Sequence, residues 1–387
     1  MATSSPASST STTRAPRILA LDFVRVYAAF LVVAVHVITQ PVIYGNVLAE
    51  AFLTLLHVSR EIFLLMTGLV LTYSTSSLSG GGWRSWYNFY KRRYPLILIP
   101  YVCWSLIYMW YNKVHLFPFS PFWSLLVSNL QTGSASFQLY FLILTIKLYA
   151  IFPLLRWILE RTKRYHAWIL IVSGILQLLI TSAMQYGWWS SSQYITNWFA
   201  KPDTALISYQ FFILAGCIAA FHLPELVNWT RKHLAVVLLL CFSAIPLALA
   251  CYLWQLQAGF TTIEASAVFQ PILVVESVAY TMGLFALGLC WQEKGARGKV
   301  AYALLADVSF GIYLSHVLVI TILSQYAGQW GLLHDAYIAP DWLTIAVVLG
   351  VVTPLVYLIS GAIIAIARKT PVSLFITGRK YFRDGPI

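Results

Sequence analysis

Charge is scarce in this sequence. Only 10% of its 387 residues are Asp, Glu, Lys or Arg, where an ordinary soluble domain carries about 25%. With 59% hydrophobic residues and a mean hydropathy of +0.74, that shortage excludes a water-soluble globular chain and identifies an integral membrane protein. Cysteine is sparse as well. Cys103, Cys217, Cys241, Cys251 and Cys290 fall within or at the ends of apolar runs and never beside a ligand histidine, so neither a disulfide framework nor a metal site is expected. Phosphate-binding glycine loops of the Walker or GxGxxG type are missing, so a nucleotide-bearing ligand must be held by side chains. No stripe of interleaved basic and aromatic residues occurs in a polar segment, which removes nucleic acid as the reason for the net charge of +12.

What the sequence has in abundance is apolar runs long enough to cross a bilayer. About 20 such residues span roughly 30 Å of hydrocarbon, and ten runs qualify, near 19–40, 52–74, 94–112, 137–158, 166–187, 204–222, 234–254, 269–291, 301–325 and 342–367. The segments between them alternate between Lys/Arg-rich and nearly bare of Lys and Arg, the pattern that marks cytoplasmic and external loops. The expected fold class is therefore an all-α integral membrane protein, a polytopic bundle of about ten transmembrane helices with both termini cytoplasmic. Residues 1–16, rich in Ser and Thr, are expected to be a disordered cytoplasmic tail; residues 17–368 form the transmembrane domain and 369–387 a basic cytoplasmic tail. The first run is too long for a signal-peptide core and lacks a cleavage site, so it reads as a retained span.

Charged side chains within spans are costly, about 2.5–3.5 kcal/mol at mid-bilayer, and so mark interior sites. In LDFVRVYAAFLVVAVH, Arg25 and His36 stand about eleven positions apart, roughly three helical turns, which sets them on one face about 16 Å apart along the axis. Asp22 lies one turn from Arg25 and can pair with it, leaving open a plain structural ion pair with an interfacial His36. Glu61 falls near mid-depth in the second run, where a carboxylate can fix an imidazole's tautomer and support a general base; the adjacent Arg60 offers an ion pair instead. Lys147 sits mid-span and calls for an acidic partner or an anionic ligand. In SFGIYLSH, Ser309, Tyr313 and His316 share one stripe, with His316 at a height similar to that of His36. The run YKRRYPLILIPY carries Arg92 and Arg93 to the cytoplasmic mouth of the third run, either as orientation charge or as a phosphate grip.

Five stretches in order, Arg25 with His36, FLLMTGLVLTYS, KRRYPLILIPY, LYFLILTIKLYAIFPLL and SFGIYLSHVLVI, resemble the acyltransferase-3 family of membrane acyltransferases. The resemblance implies ten helices in a bacterial cytoplasmic (inner) membrane. It also implies transfer of an acyl group, commonly acetyl, from cytoplasmic acyl-CoA to a hydroxyl of a glycan on the far side. Acyl-CoA would be a co-substrate, with no bound cofactor. His36 matches the catalytic histidine and Arg25 its motif partner, Arg92 and Arg93 the donor-binding arginines, and Tyr313 and His316 the late motif. The chain departs from the family pattern at Leu96, where another Arg is common, at Gln138 and Tyr140, where His and Trp are common, and in YLISGAIIAIARKTP, which lacks the usual glutamate. Glu61 is then the leading carboxylate for His36, and Tyr313 or His316 would meet the developing oxyanion.

Two other function classes stand beside this one. A transporter or flippase of a glycolipid or small solute suits ten spans with interior charges, but Gly/Pro-broken helices at matching positions in two halves are not seen. A non-catalytic partner within a polysaccharide synthesis complex is the other. The acceptor stays open among O-antigen, other lipid-linked glycans, peptidoglycan and exopolysaccharides such as cellulose.

Overall fold

Backbone N–H and C=O groups in hydrocarbon have no water to bond, so a chain this apolar must satisfy them within each segment. Accordingly, every regular element is helical in the computed structural model, which describes residues 18–39, 46–76, 82–114, 119–188, 202–329 and 342–381; the tail expected over 1–16 lies outside the described residues. In chain order the helices are α1 (Leu19–Thr39), α2 (Val47–Leu56), α3 (Ser59–Ser74), α4 (Trp83–Arg93), α5 (Pro95–Tyr111), α6 (Phe119–Thr132), α7 (Tyr140–Arg161), α8 (His166–Gln185), α9 (Gln210–Phe221), α10 (Leu223–Lys232), α11 (Leu234–Gln257), α12 (Thr262–Ala265), α13 (Pro271–Glu293), α14 (Lys299–Gln329), α15 (Trp342–Val347), α16 (Thr353–Arg368) and α17 (Ser373–Thr377). Among the described residues nine helices, some joining two of these segments, are long and apolar enough to cross a membrane. A tenth arises if Leu206–Phe221 and Leu223–Lys232, bent by 92°, count as one.

Helix α1 is the hub. It packs against α3, α13, α14 and α16, and small or branched residues such as Ala20, Ala28, Ala29 and Val33 are buried on its several faces. At the other extreme α11 leaves Leu239, Leu240 and Phe242 exposed, as lipid-facing residues should be when the solvent is itself apolar. The bundle has two distinct ends. One gathers the start of α1 and the close of α16, where Arg368 Nε donates to Asp307 Oδ2 at 2.8 Å; the other carries His36 and the α2–α3 junction.

Several details differ from the sequence expectations, for identifiable reasons. The second run breaks at His57–Val58 into α2 and α3, and the sixth turns sharply at His222; hydropathy registers length and not direction. Two segments read as connections are helices, α4 and α6. In the last span a π-helical turn, Val348–Val352, precedes Pro354, whose ring removes a backbone donor; Thr353 Oγ1 donates to the Val348 carbonyl at 2.9 Å. The chain beyond α16, expected as a tail, folds back onto the bundle as far as Tyr381.

Helices α3 and α9 approach closely enough for their backbones to touch. A Cβ on Gly216 would lie 1.9 Å from the Leu65 carbonyl oxygen, and one on Gly68 would lie 2.6 Å from that of Ile213. This contact sets the height and tilt of α3 and therefore of the residues at its start. Gly216→Val is expected to lower stability by about 1–3 kcal/mol or more, read as a drop in the thermal unfolding midpoint of the purified protein. Gly174→Ala, whose Cβ would meet Phe211 at an ordinary 3.4 Å, should leave that midpoint in place.

Candidate active site

A cavity of about 800 Å³ opens at the His36 end of the bundle. Val32, Val35, His36 and Thr39 of α1 form one wall, a stripe with the spacing that keeps residues on one helical face. Extended toward the chain's start, the same stripe passes Ala28 and Ala29 and reaches Arg25, as the spacing predicts. The remaining walls come from the α2–α3 junction, from the 3-10 turn Phe137–Leu139 with the start of α7, and from α14.

The His36 ring packs on Phe137 (ring centroids 4.7 Å) and stacks on His316 (5.2 Å, planes 28° apart). His36 and His316 therefore meet, but only His36 faces the cavity. His316 is fully buried behind it. Its Nδ1 lies 3.1 Å from the Ile312 carbonyl, so in the neutral ring Nδ1 carries the proton; its Nε2 has no hydrogen-bond partner among the described residues. Tyr313 does line the cavity, yet its hydroxyl donates to the Gln138 carbonyl. A phenol has one proton, so this bond competes with an oxyanion role.

Glu61 is placed differently from the expectation. Its Oε1 accepts from Arg60 Nη2 at 2.8 Å and Nε at 3.1 Å, and among the described residues no hydrogen bond links it to His36. It is Arg60 that reaches the cavity wall. That guanidinium also donates to Asp203 Oδ1 (3.2 Å) and the Val268 carbonyl (2.9 Å), and its Cζ lies 4.8 Å from the Tyr209 ring centroid and 4.5 Å from that of Phe269. The neighbouring arginine captured the carboxylate because a buried cation needs a counter-charge more than an imidazole does. Lys147 is drawn into the same support: its Nζ donates to the Thr204 carbonyl at 2.7 Å, fixing the turn Pro202–Thr204 that presents Asp203.

Two cavity residues escaped the sequence reading. His57 sits at the break between α2 and α3, and its Nδ1 pairs with the Ser266 carbonyl at 2.9 Å, which turns the other nitrogen into an acceptor. The Ser266 segment is itself anchored: Ser266 Oγ donates to Glu50 Oε2 at 2.5 Å, and a Thr261–Glu264 capping box starts α12 just before it. Hydrogen bonds from the Thr261 backbone and hydroxyl hold the Glu264 carboxyl below its usual range. The polar cluster His57, Ser59, Arg60 and Glu61 inside an apolar run was the signal available. Gln138, noted in the sequence only as a departure, is buried in the cavity wall. Its Oε1 accepts from Ser136 Oγ at 2.6 Å, while its Nε2, near the Tyr108 hydroxyl, makes no well-formed hydrogen bond among the described residues.

The donor-end candidates separate. Arg92 is exposed. Arg93 turns inward, donating from Nη2 to Ser74 Oγ at 2.9 Å. Tyr149 of α7 lies within electrostatic reach of Arg93, Arg25 and Arg379, so the arginines of α1 and α4 converge although they are far apart in sequence.

If Glu61 serves Arg60, Glu61→Ala should cost about 3–5 kcal/mol by leaving a buried cation undercompensated, seen as a fall in the unfolding midpoint. Removing both charges with Arg60→Met and Glu61→Met should recover most of that loss. A Glu61→Ala protein of undiminished stability with an altered pH–rate profile would instead tie Glu61 to His36.

No curated protein and no solved structure matches the chain. A family model for an acyltransferase domain, that of the acyltransferase-3 family, matches residues 18–361, a stretch that contains α1, the cavity walls and Arg93. With that much of its length matched, this multi-pass membrane chain belongs to the acyltransferase-3 family and is an acyltransferase.

Proposed function

We propose that this acyltransferase moves an acyl group, acetyl in the simplest case, from cytoplasmic acyl-CoA to a hydroxyl of a glycan on the external side of a bacterial inner membrane, with both chain termini cytoplasmic. One observation carries the reading: the same face of α1 bears an arginine at the end where cationic side chains converge and a histidine in an open cavity at the other. The donor's phosphates meet Arg93 and Arg25, and the acceptor enters at His36. The mouth suits a sugar. Thr39, Ser59, Ser324 and Gln325 supply hydroxyl and amide groups, and Phe63 and Phe137 supply flat apolar faces, the mixture expected where a largely apolar pocket orients a ligand by a few polar contacts.

In the reaction, the His36 imidazole takes the acceptor's hydroxyl proton as that oxygen attacks the thioester carbonyl. The carbonyl electrons move onto oxygen, and the Gln138 amide N–H, a buried donor without a well-formed bond of its own, holds the resulting oxyanion. The C–S bond then breaks, and the CoA sulfur takes the proton back from His36. Stacked on His316 and Phe137, His36 keeps one ring orientation through both transfers.

Membranes incubated with radiolabelled acetyl-CoA should place label in polymer or lipid-linked sugar. His36→Ala, inserted at normal levels, should lower that rate by about 10²–10⁴-fold; a normal rate would overturn the reading. For Gln138→Leu the expectation is a fall in kcat of about 10²–10³-fold with little change in donor KM. His57→Gln provides the comparison for the second cavity histidine: a loss as deep as that of His36→Ala would make His57 the base.

A further inference from the structure

The stretch between α11 and α13 is short and irregular, yet hydrogen bonds fix it from several sides. Its helix α12 packs on α2 and α11. Gln270 Nε2 donates to the Ala265 and Ala267 carbonyls at 2.9 and 2.8 Å, and Gln255 Nε2 holds Gln270 Oε1 at 2.9 Å. Gln185 Nε2 reaches the Glu264 carbonyl at 2.8 Å. Together with the bonds from Ser266 to Glu50 and from Arg60 to the Val268 carbonyl, these contacts set the Ser266 carbonyl in one place. That carbonyl is the partner of His57 Nδ1.

The outcome is an imidazole with one assigned proton. A carbonyl can only accept, so Nδ1 carries the hydrogen and, in the neutral ring, Nε2 keeps a lone pair. Among the described residues no hydrogen bond occupies that nitrogen, and His57 lines the cavity. His36 lines the same cavity and lies within electrostatic reach of His57. Two imidazoles carried on different elements, α1 and the α2–α3 break, thus face one space, while the reaction calls for a single base. A sugar bears hydroxyls on adjacent carbons, each with one proton to donate. As one hydroxyl gives its proton to His36, a second hydroxyl of the same sugar can donate to His57 Nε2. A site built to pair with a hydroxyl rejects any arrangement that leaves its polar group unpaired, so this second contact discriminates between orientations of the ring.

We propose that His57 is an acceptor-binding residue whose Nε2 accepts a hydrogen bond from a hydroxyl next to the one that attacks, and that this contact selects which hydroxyl is acylated. This rests on the glycan-acceptor reading above. The break at His57–Val58 and the bonded stretch around Ser266 then have a common purpose, to present one lone pair to the cavity.

The test uses membranes carrying the full-length protein, carbon-13-labelled acetyl-CoA and the membranes' own glycan, with acetyl positions on the purified product read by NMR. The wild-type protein should favour one ring position over its neighbours. His57→Asn keeps an amide N–H for the Ser266 carbonyl but withdraws the cavity-side acceptor. It should move the ratio of favoured to neighbouring position about tenfold toward the neighbour, the size of a lost hydrogen bond at a buried group, with the donor KM unchanged. His57→Leu should move it as far, and supplies the measurement if His57→Asn does not accumulate. His57→Gln, whose amide oxygen can stand in for Nε2, should keep more of the wild-type ratio. A wild-type ratio in the Asn and Leu variants overturns the inference whatever the rate: a parallel loss at every position marks a structural or general-base role, and no loss at all removes His57 from the acceptor site. A wild-type product acetylated evenly over its hydroxyls also overturns it, since no selection is then made. Absence of labelled acetyl from any glycan in wild-type membranes is a separate result, and it removes the acceptor reading together with this inference.

Discussion

The separation between Arg25 and His36 is the constraint on which the molecule is built. About eleven residues of unbroken helix hold them roughly 16 Å apart on one face, and α1 is clasped by α3, α13, α14 and α16 so that neither end can shift alone. In the proposed reaction a charged thioester donor and a polyhydroxyl acceptor need not share one aqueous compartment. A rigid helix with a cation at one end and an imidazole at the other would let each be met where it is soluble. The cavity descends along this face to Val32, about two turns above Arg25, so on that proposal the distance the acyl group must cover inside the protein is shorter than the helix itself.

Irregular backbone in a membrane is tolerated where protein surrounds it or water fills a cavity, and here it gathers at the site. The His57–Val58 break, the 3-10 turn Phe137–Leu139 and the turn Pro202–Thr204 all serve the cavity wall or its support. Each aims a polar side chain that a continuous helix would have directed elsewhere. The Arg60 clamp shows the cost of such an opening: one guanidinium needs two carboxylates, a carbonyl and two aromatic rings to remain at the wall. The backbone contact between α3 and α9 at Gly216 then holds the clamp at the correct height.

Much of this was legible in the sequence. Nine spans and their order follow from the length of apolar runs, the expected tenth being the bent pair Leu206–Phe221 and Leu223–Lys232, and the Arg25–His36 face follows from the helical period, because both depend on local geometry alone. The meeting of His36 and His316 was suggested by their similar heights, but the burial of one behind the other was not, since rotation about each helix axis is set by tertiary packing. Glu61 illustrates the general difficulty: its choice between Arg60 and His36 depended on Asp203, Tyr209 and Phe269, all more than a hundred residues away. The fold-back after α16 was missed because a basic segment reads as solvated charge. His57 was hidden by the break, which hydropathy averages over.

The Arg60 clamp has one more consequence. With Glu61 and Asp203 against it, the cavity's arginine projects little field, and the polar groups at its mouth are uncharged. Ionic strength should therefore act little on an encounter at this cavity, since screening weakens capture only where charge is left uncompensated. In the proposed reaction, capture of a neutral acceptor at His36 would proceed almost indifferent to the salt around it.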